Sequence, residues 1–278
     1  KTAPAGGSGT LAAPFNRIMD ALHVREDGTP LPVSHPNYIH RLRPGDVLRI
    51  VGNPGDDGEI TTEFDNEAYE LGFNKLGFSL SDGSELQVPK GATVVFDAGT
   101  IVKFRRSFIG VGSFTASANT DFSSGSLQVL GSPHVVDALG NLLEPGTDFR
   151  SLESKGDGQV HFTSYHDQEL GLDTFSFNTT AVPGDWGGIY IRRDLDNADQ
   201  SRFSFEEQGV FLDYISNAQI QYGGGDVLVH SVYQTVNPIE VSDGRPGLQS
   251  STITSSQDGA IAVTPNSFIE TNFHSPEF

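Results

Sequence analysis

The feature that most constrains the fold is a succession of β-rich runs, none longer than about six residues, which is the usual length of a strand. Gly, Pro, Asn and Asp separate these runs, as expected for strands joined by tight turns. The 32 Gly and 15 Pro residues favour the same interpretation over packed helices. The predicted strands cover residues 47–51, 78–80, 85–88, 93–96, 101–104, 127–130, 160–163, 189–191, 227–229, 239–241, 252–254 and 260–263.

Apolar residues recur at a nearly constant spacing in the last third of the chain. Ile215, Ile239 and Ile261 are separated by 24 and 22 residues, and Val229 and Ile253 by another 24. A solenoid places one inward-facing apolar residue above another once per coil, so this spacing predicts stacked coils. We therefore expect an all-β, right-handed parallel β-helix, a solenoid with a ladder of isoleucines and valines in its interior.

Long interruptions separate several of the predicted strands, at residues 105–126, 132–159 and 165–184. Hairpin loops in a β-sandwich usually have about 2 to 5 residues, which is much shorter than these segments. A coil tolerates long insertions because its turns lie outside the stack. The interruptions therefore favour a solenoid with long loop insertions between coils over a sandwich.

The chain divides into two predicted regions. Residues 1–35 contain a stretch compatible with a short helix, 15–22, followed by turn signals, and they form a leader or linker packed on the first coil. The alternative is the tail of a preceding domain. Residues 36–278 form the β-helix domain, and because no initiator Met precedes Lys1, we expect the chain to be truncated from a larger protein.

Charge and composition restrict the function classes. Asp and Glu number 36 against 17 Lys and Arg, for a formal net charge of -19, which would repel nucleic acid and anionic lipid. We therefore expect no nucleic-acid partner. The chain has no Cys, which excludes disulfides, thiolate metal sites and a thiol nucleophile. No apolar run approaches the roughly 18 residues that a transmembrane helix needs, so this segment predicts no membrane insertion.

Several sequence segments resemble one known family. Gly184-Asp185-Trp186-Gly187-Gly188, together with 162–167 before it, resembles a recurrent signature of the right-handed parallel β-helix repeat domain of very large bacterial cell-surface and extracellular proteins. Segments 89–104, 220–225 and 260–278 are similar to other parts of that domain, and the resemblance covers residues 42–278. It implies a secreted or cell-surface location, with other modules or copies of the protein as partners. It supplies no catalytic or ligand-binding residues.

The signature segment has a structural and a functional interpretation. Its glycines permit backbone conformations or close approaches that a Cβ would forbid, and Trp186 can cover the apolar end of a coil. A platform on which Trp186 stacks against a sugar is the alternative. We favour the structural corner, because a buried Trp usually serves packing.

Two acidic turns are candidate calcium sites. Asp194, Asp196 and Asp199 provide alternating oxygen ligands, but Ala198 and Asp199 stand where an EF-hand loop needs a ligand and a Gly. The second turn contains Asp56 and Asp57 between glycines. Calcium is thus the one cofactor that the sequence indicates, and the alternative is that both turns are solvated loops without a ligand.

Other polar residues are candidates for metal ligands or catalytic groups. His161 and His166, beside Asp167 at a strand end, could bind a metal or act as a general base, but no third ligand is close in sequence. They are better explained as polar residues at the mouth of an insertion. Basic residues at 103–106 and 192–193 give the best case for a lyase, although no Gly-His-Gly motif of the polygalacturonase type occurs.

These observations predict an extracellular structural or adhesive scaffold, and not an enzyme, that could assemble end to end into fibres or contact extracellular polysaccharide. Two alternatives remain. One is a calcium-dependent polysaccharide lyase or hydrolase with its groove along one sheet. The other is a non-catalytic carbohydrate-binding β-helix, which predicts a row of exposed aromatic side chains.

Overall fold

The computed structural model describes residues 14–22, 42–52, 68–112, 122–133, 158–168, 170, 180–192, 212–229, 232–242 and 244–264. These residues form one short helix, α1 (Ile18–Leu22), and otherwise strands and turns, so the chain is all-β. In chain order the strands are β1 (Val47–Ile50), β2 (Tyr69–Gly72), β3 (Leu86–Gln87), β4 (Thr93–Asp97), β5 (Ile101–Arg105), β6 (Ile109–Val111), β7 (Ser126–Leu130), β8 (Val160–Ser164), β9 (Ile189–Arg192), β10 (Tyr214–Ser216), β11 (Ala218–Gln221), β12 (Asp226–Val229), β13 (Val232–Thr235), β14 (Ile239–Ser242), β15 (Gly247–Gln249), β16 (Thr252–Thr254) and β17 (Ile261–Thr264).

Three five-stranded sheets, all parallel, contain every strand except β12 and β13. The first sheet has the order β1-β4-β7-β10-β15, the second β2-β5-β8-β11-β16 and the third β3-β6-β9-β14-β17. The chain therefore enters the three sheets in turn and then returns to the first. Its strands are parallel and stacked, which is compatible with the predicted parallel β-helix.

Each sheet carries a column of apolar residues that runs through all five strands and whose Cα atoms are partners from strand to strand. Side chains of a strand alternate between its two faces, so partners in a parallel sheet point to the same side. In four of the five strands of each sheet, the column residue is buried. The first column is Ile50, Phe96, Val129, Ile215 and Leu248, the second is Tyr69, Val102, Phe162, Ile220 and Ile253, and the third is Leu86, Ile109, Ile189, Ile239 and Ile261.

The three columns meet in one hydrophobic core. Their buried members belong to a single cluster, and Ile253 packs against it. Phe96 and Phe162, from the first and second columns, contact each other edge to face with ring centroids 5.1 Å apart. The core therefore runs along the stack and is shared by all three sheets.

The predicted spacing of the isoleucines is correct for one pair only. Ile239 and Ile261 are Cα partners, as predicted. Ile215 lies in the first sheet, where its partners are Val129 and Leu248, so its predicted position below Ile239 is wrong. A coil crosses three sheets, and similar spacings also arise between strands of different sheets.

The predicted pairing of Val229 with Ile253 is wrong for another reason. Val229 belongs to β12, which forms an antiparallel hairpin with β13, and Ile253 is the partner of Ile220. The hairpin is an insertion between β11 and β14. Its inner face contributes Val227 and Val229 to a separate small cluster with Phe108 and Val236.

The predicted strands match the structure unevenly. Residues 78–80 form only isolated bridges and no strand, whereas β6 lies within the predicted interruption 105–126. No strand was predicted for β2, β10, β11, β13 or β15. These strands have few β-branched residues or fall beside polar turns, and their partners in the stack, more than their own composition, determine their conformation.

Helix α1 lies within the stretch 15–22 that the sequence indicates as helical. Ile18 and Leu22 are buried members of the main core cluster. The backbone N–H groups of Ile18 and Met19 donate to Asp82, to Oδ1 at 3.1 Å and to the main-chain oxygen at 3.1 Å. The segment therefore packs against the first strands, and the predicted boundary between residues 35 and 36 lies outside the described residues.

We predict that Ile215→Ala lowers the free energy of unfolding by about 2 to 5 kcal/mol, since it leaves a cavity in the middle of a column. Leu248→Ala, at the end of the same column, is the matched control. Ile215 is fully buried and Leu248 is 39% exposed, so the control should cost clearly less. Urea unfolding followed by circular dichroism measures both, and equal losses would contradict the arrangement of the column.

Candidate functional site

The signature segment Gly184 to Gly188 lies directly before β9, where the chain passes from the second to the third sheet. Trp186 is fully buried. Its ring stacks on Phe104 of β5, with centroids 4.3 Å apart and planes at 12°. Its indole Nε1 donates a hydrogen bond to the main-chain oxygen of Gln221 at 2.7 Å. Trp186 therefore joins three successive parts of the stack, and its ring is not accessible to a sugar.

Two glycines of the segment are required by their surroundings. Gly184 has a φ of 85°, a conformation that other residues rarely adopt. A Cβ on Gly188 would overlap the main-chain oxygen of Asn237 in the neighbouring coil. The segment thus brings two backbones closer together than any other residue type would allow, and the structural interpretation of the signature accounts for its glycines.

Asp185 holds the segment against β8 and against the end of β5, which are neighbouring strands of the second sheet. Its Oδ2 accepts hydrogen bonds from Ser164 Oγ at 2.5 Å and from the backbone N–H of Val182 at 3.0 Å. Its main-chain oxygen accepts a hydrogen bond from the backbone N–H of Arg106 at 2.8 Å. The Asp185 carboxylate and main-chain oxygen therefore both fix the position of the segment on the second sheet.

A buried polar ladder occupies the outward face of the second sheet. Glu70, Lys103 and Thr163 are Cα partners on β2, β5 and β8, and all three are at most 1% exposed. Lys103 Nζ donates to the main-chain oxygen of Asp167 at 2.6 Å, and Thr163 Oγ1 donates to Asp167 Oδ2 at 2.6 Å. Buried charges need such partners, because transfer from water is costly. The turn that follows β8 therefore covers this part of the ladder, and its Asp167 supplies hydrogen-bond acceptors for Lys103 and Thr163.

The ladder continues from Glu70 through Ser81 and Asp82 to helix α1. Ser81 Oγ donates to Glu70 Oε2 at 2.8 Å and to Asp82 Oδ2 at 3.1 Å. Asp82 Oδ2 also accepts the backbone N–H of Glu70 at 2.8 Å, while its Oδ1 accepts that of Ile18. Sequence reasoning missed this network, since its six side chains come from separate segments of the chain. The signal in the sequence was a Lys at position 103 inside a predicted strand.

The predicted histidine site does not gather its residues into a metal centre. His161 is 3% exposed on the outward face of β8, and Asp167 is engaged by Thr163. The backbone N–H of His166 donates to Ser164 Oγ, and its ring contacts Tyr165 edge to face. Within the described ranges, no group of three His, Cys, Asp or Glu residues could hold a metal ion.

The basic residues considered for a lyase are held by the protein. Lys103 belongs to the buried ladder, and Arg192 is 4% exposed with its guanidinium 3.6 Å from the centre of the Tyr190 ring. Arg105 Nη1 donates to the main-chain oxygen of Phe73 at 2.6 Å, and burial lowers the pKa of this guanidinium from its usual value. Lys103 and Arg192 are therefore not accessible to a polysaccharide.

The predicted calcium ligands lie outside the described residues. They are Asp56, Asp57, Asp194, Asp196 and Asp199. Their role therefore stays a prediction.

Comparisons with known proteins gave no match to this chain. No protein-family description fits it, and neither a curated protein nor a solved structure is similar to it at a significant level. The class of the protein is consequently defined by its strand pairing: an all-β chain of stacked parallel strands. No helix in the described part is long and apolar enough to cross a membrane.

We predict that Gly188→Ala destabilises the protein strongly, since its Cβ would force apart the backbones of two adjacent coils. Gly259→Ala is the control, because its Cβ would meet only Asn237 Oδ1, at an ordinary 3.6 Å. Thermal unfolding followed by circular dichroism should show a large fall in Tm for the first variant and little change for the second. A small effect of Gly188→Ala would contradict the close approach.

We predict that Thr163→Val costs about 1.5 to 3 kcal/mol of unfolding free energy, because a buried carboxylate then loses its hydroxyl donor. Thr235→Val is a matched control. Thr235 Oγ1 donates to Asp226 Oδ1 at the same 2.6 Å, but on an exposed hairpin where water replaces the hydroxyl. The control should change the free energy by less than about 0.5 kcal/mol in urea unfolding. Equal costs would argue against a buried ladder.

Proposed function

We propose that this chain forms a right-handed parallel β-helix that serves as a structural and adhesive scaffold module of a large bacterial protein, secreted or displayed on the cell surface. The observation that carries the proposal is the set of three apolar columns running through five strands each. A stack of this kind stabilises an extended shape. The partners we propose are other modules, copies of the same protein and extracellular polysaccharide.

The stability of such a scaffold grows with the number of coils. Each strand buries its column residue against the next, at about 25 cal/mol per Å² of apolar surface removed from water. Stability in a solenoid is close to a sum of terms for each coil and each contact between neighbours. A chain without cysteines can therefore support an elongated fold, which suits a scaffold outside the cell.

The register of the stack is kept between residues that are far apart in the sequence. Val129 and Ile215 are direct Cα partners although 86 positions separate them in the sequence. Phe162 and Ile220 are likewise partners across 58 positions. These intervals contain two further strands each, and the remaining residues are connections that can present different surfaces while the columns stay aligned. This separation between a constant stack and variable connections supports an adhesive role.

The two alternative functions have less support from the described residues. Sugar stacking by Trp186 conflicts with its complete burial, and the basic side chains at positions 103 and 192 are buried as well. Phe78 and Tyr233 are exposed aromatic residues, at 67% and 76%, but they belong to different parts of the chain. We keep calcium at the two acidic turns as a secondary proposal that chelation can test.

An assay on polysaccharides separates the scaffold from an enzyme. The chain is incubated with a panel of uronic-acid polymers, with calcium or with a chelator, and the absorbance of unsaturated products and the reducing ends are followed. We expect no turnover under either condition. Turnover that a chelator abolishes would overturn the scaffold proposal in favour of the calcium-dependent lyase or hydrolase.

Limited proteolysis tests the scaffold directly. We expect cleavage within the long connections, while the stacked strands stay associated and keep their circular dichroism signal. The variant Ile215→Ala is the control, because weakening the middle of a column should expose the strands themselves to the protease. Rapid degradation of the unmodified chain into small peptides would contradict a rigid scaffold.

A further inference from the structure

The polar ladder brings an amine, two carboxyl groups and a hydroxyl together inside the protein. Lys103, Thr163 and Glu70 are at most 1% exposed. Asp167, in the turn after β8, is 6% exposed. An ammonium and a carboxylate in such a place are costly even when they are paired, because both have left water. A reaction that converts this pair into a neutral group removes that cost.

The Lys103 amine is held against Asp167. Its Nζ donates to the main-chain oxygen of Asp167 at 2.6 Å. The carboxyl group of Asp167 lies over the neighbouring strand, where Thr163 Oγ1 donates to its Oδ2 at 2.6 Å. Lys103 and Thr163 are Cα partners, so their side chains lie next to each other on the outward face of the sheet. Since the main-chain oxygen and the Cγ of one Asp are only about 3 to 4 Å apart, rotation about the last torsion angles of the lysine brings Nζ to Cγ.

We propose that Lys103 and Asp167 are joined by an intramolecular amide, an isopeptide bond between Nζ and Cγ, and that Glu70 is the general base of this reaction. Glu70 is the other Cα partner of Lys103, on the side opposite Thr163. Its Oε2 accepts a hydrogen bond from Ser81 Oγ at 2.8 Å, which fixes its carboxyl group on the same face of the sheet. The amine therefore stands between the carboxyl group that it attacks and a carboxylate that can carry its protons.

The reaction releases one water and needs no further reactant. Glu70 moves a proton from the Lys103 ammonium to Asp167 Oδ1, which leaves a free amine beside a neutral carboxylic acid. The amine attacks Cγ, and the Thr163 hydroxyl, already the donor to Oδ2, stabilises the charge that develops on that oxygen. Glu70 then moves a second proton from the nitrogen to Oδ1, which leaves as water. The Nζ–Cγ bond has formed, the Cγ–Oδ1 bond has broken, and Glu70 is unchanged.

The product is a covalent link between β5 and the turn after β8, across 64 positions of the sequence. Exclusion of water from the ladder opposes hydrolysis of the amide. A bond that closes a long loop stabilises a fold chiefly by restricting the unfolded chain, as a disulfide does. The chain has no Cys, and this link gives it a cross-link that forms without oxidation.

The experiment is an intact-mass measurement on the full 278-residue chain, denatured beforehand so that only covalent links survive. We expect a mass that is about 18 Da, one water, below the mass of the sequence. A tryptic digest should contain a branched peptide that joins residues 91–105 to residues 156–192. Cleavage after Lys103 should be absent, since trypsin does not cut after an acylated lysine. The unmodified chain decides the inference, whether or not every variant folds.

Variants identify the reacting groups. Lys103→Met should show no loss of mass, and Glu70→Gln should slow the reaction at least about tenfold, so that unlinked chain is found after purification. Asp167→Asn should release ammonia in place of water and reach the same final mass as the linked unmodified chain. Lys75→Arg is the control, because Lys75 is exposed in the turn after β2, and it should keep the full loss of mass.

Several outcomes would overturn this inference. They are an unmodified chain with the full mass of its sequence, a branched peptide that joins Lys103 to Glu70, and a loss of mass that persists in Lys103→Met. A full loss of mass in folded Glu70→Gln would reject Glu70 as the base. The cross-link goes beyond the scaffold proposal, and the two fail separately: polysaccharide turnover would leave the cross-link standing, and an unlinked chain would leave the scaffold standing.

Discussion

Vertical alignment of apolar side chains is the constraint on which this structure depends. A column such as Leu86, Ile109, Ile189 and Ile239 keeps its register although the connections between its strands differ greatly in length. Hydrogen bonds between parallel strands fix the spacing, and burial of the column selects the face that points inward. The Trp186 stack lies where the chain passes from the second sheet to the third. The contacts of Asp82 with α1 lie beside the first strand of the second sheet.

The all-β architecture was largely predictable from the sequence, because short runs of β-branched and aromatic residues, such as Val94 to Phe96, predict strands from local sequence alone. The register was less accessible. Ile239 and Ile261 could be paired by spacing, but Ile215 could not, since long insertions and the hairpin obscure the period. Spacing alone does not indicate which of three sheets a strand joins.

The candidate site followed the same division. Gly188 and Trp186 were recognisable as a structural corner, because glycines next to a Trp permit close backbone approach and burial. The polar ladder was not, because Glu70, Lys103 and Thr163 look like ordinary exposed residues of alternating strands. They are buried by the turn after β8 and by the segment that contains Ser81 and Asp82. The local sequence around each residue does not show that another segment covers it.

The hairpin of β12 and β13 has a consequence for how surfaces of this protein can diverge. Its inner valines pack with Phe108 and Tyr190, so the hairpin covers part of the outward face of the third sheet. Leu228 and Tyr233, partners on the opposite face of the hairpin, are exposed instead. Substitutions at these two positions change the surface of the hairpin and leave the packing of the strands beneath it unchanged. This patch can therefore acquire new binding specificities at little cost in stability.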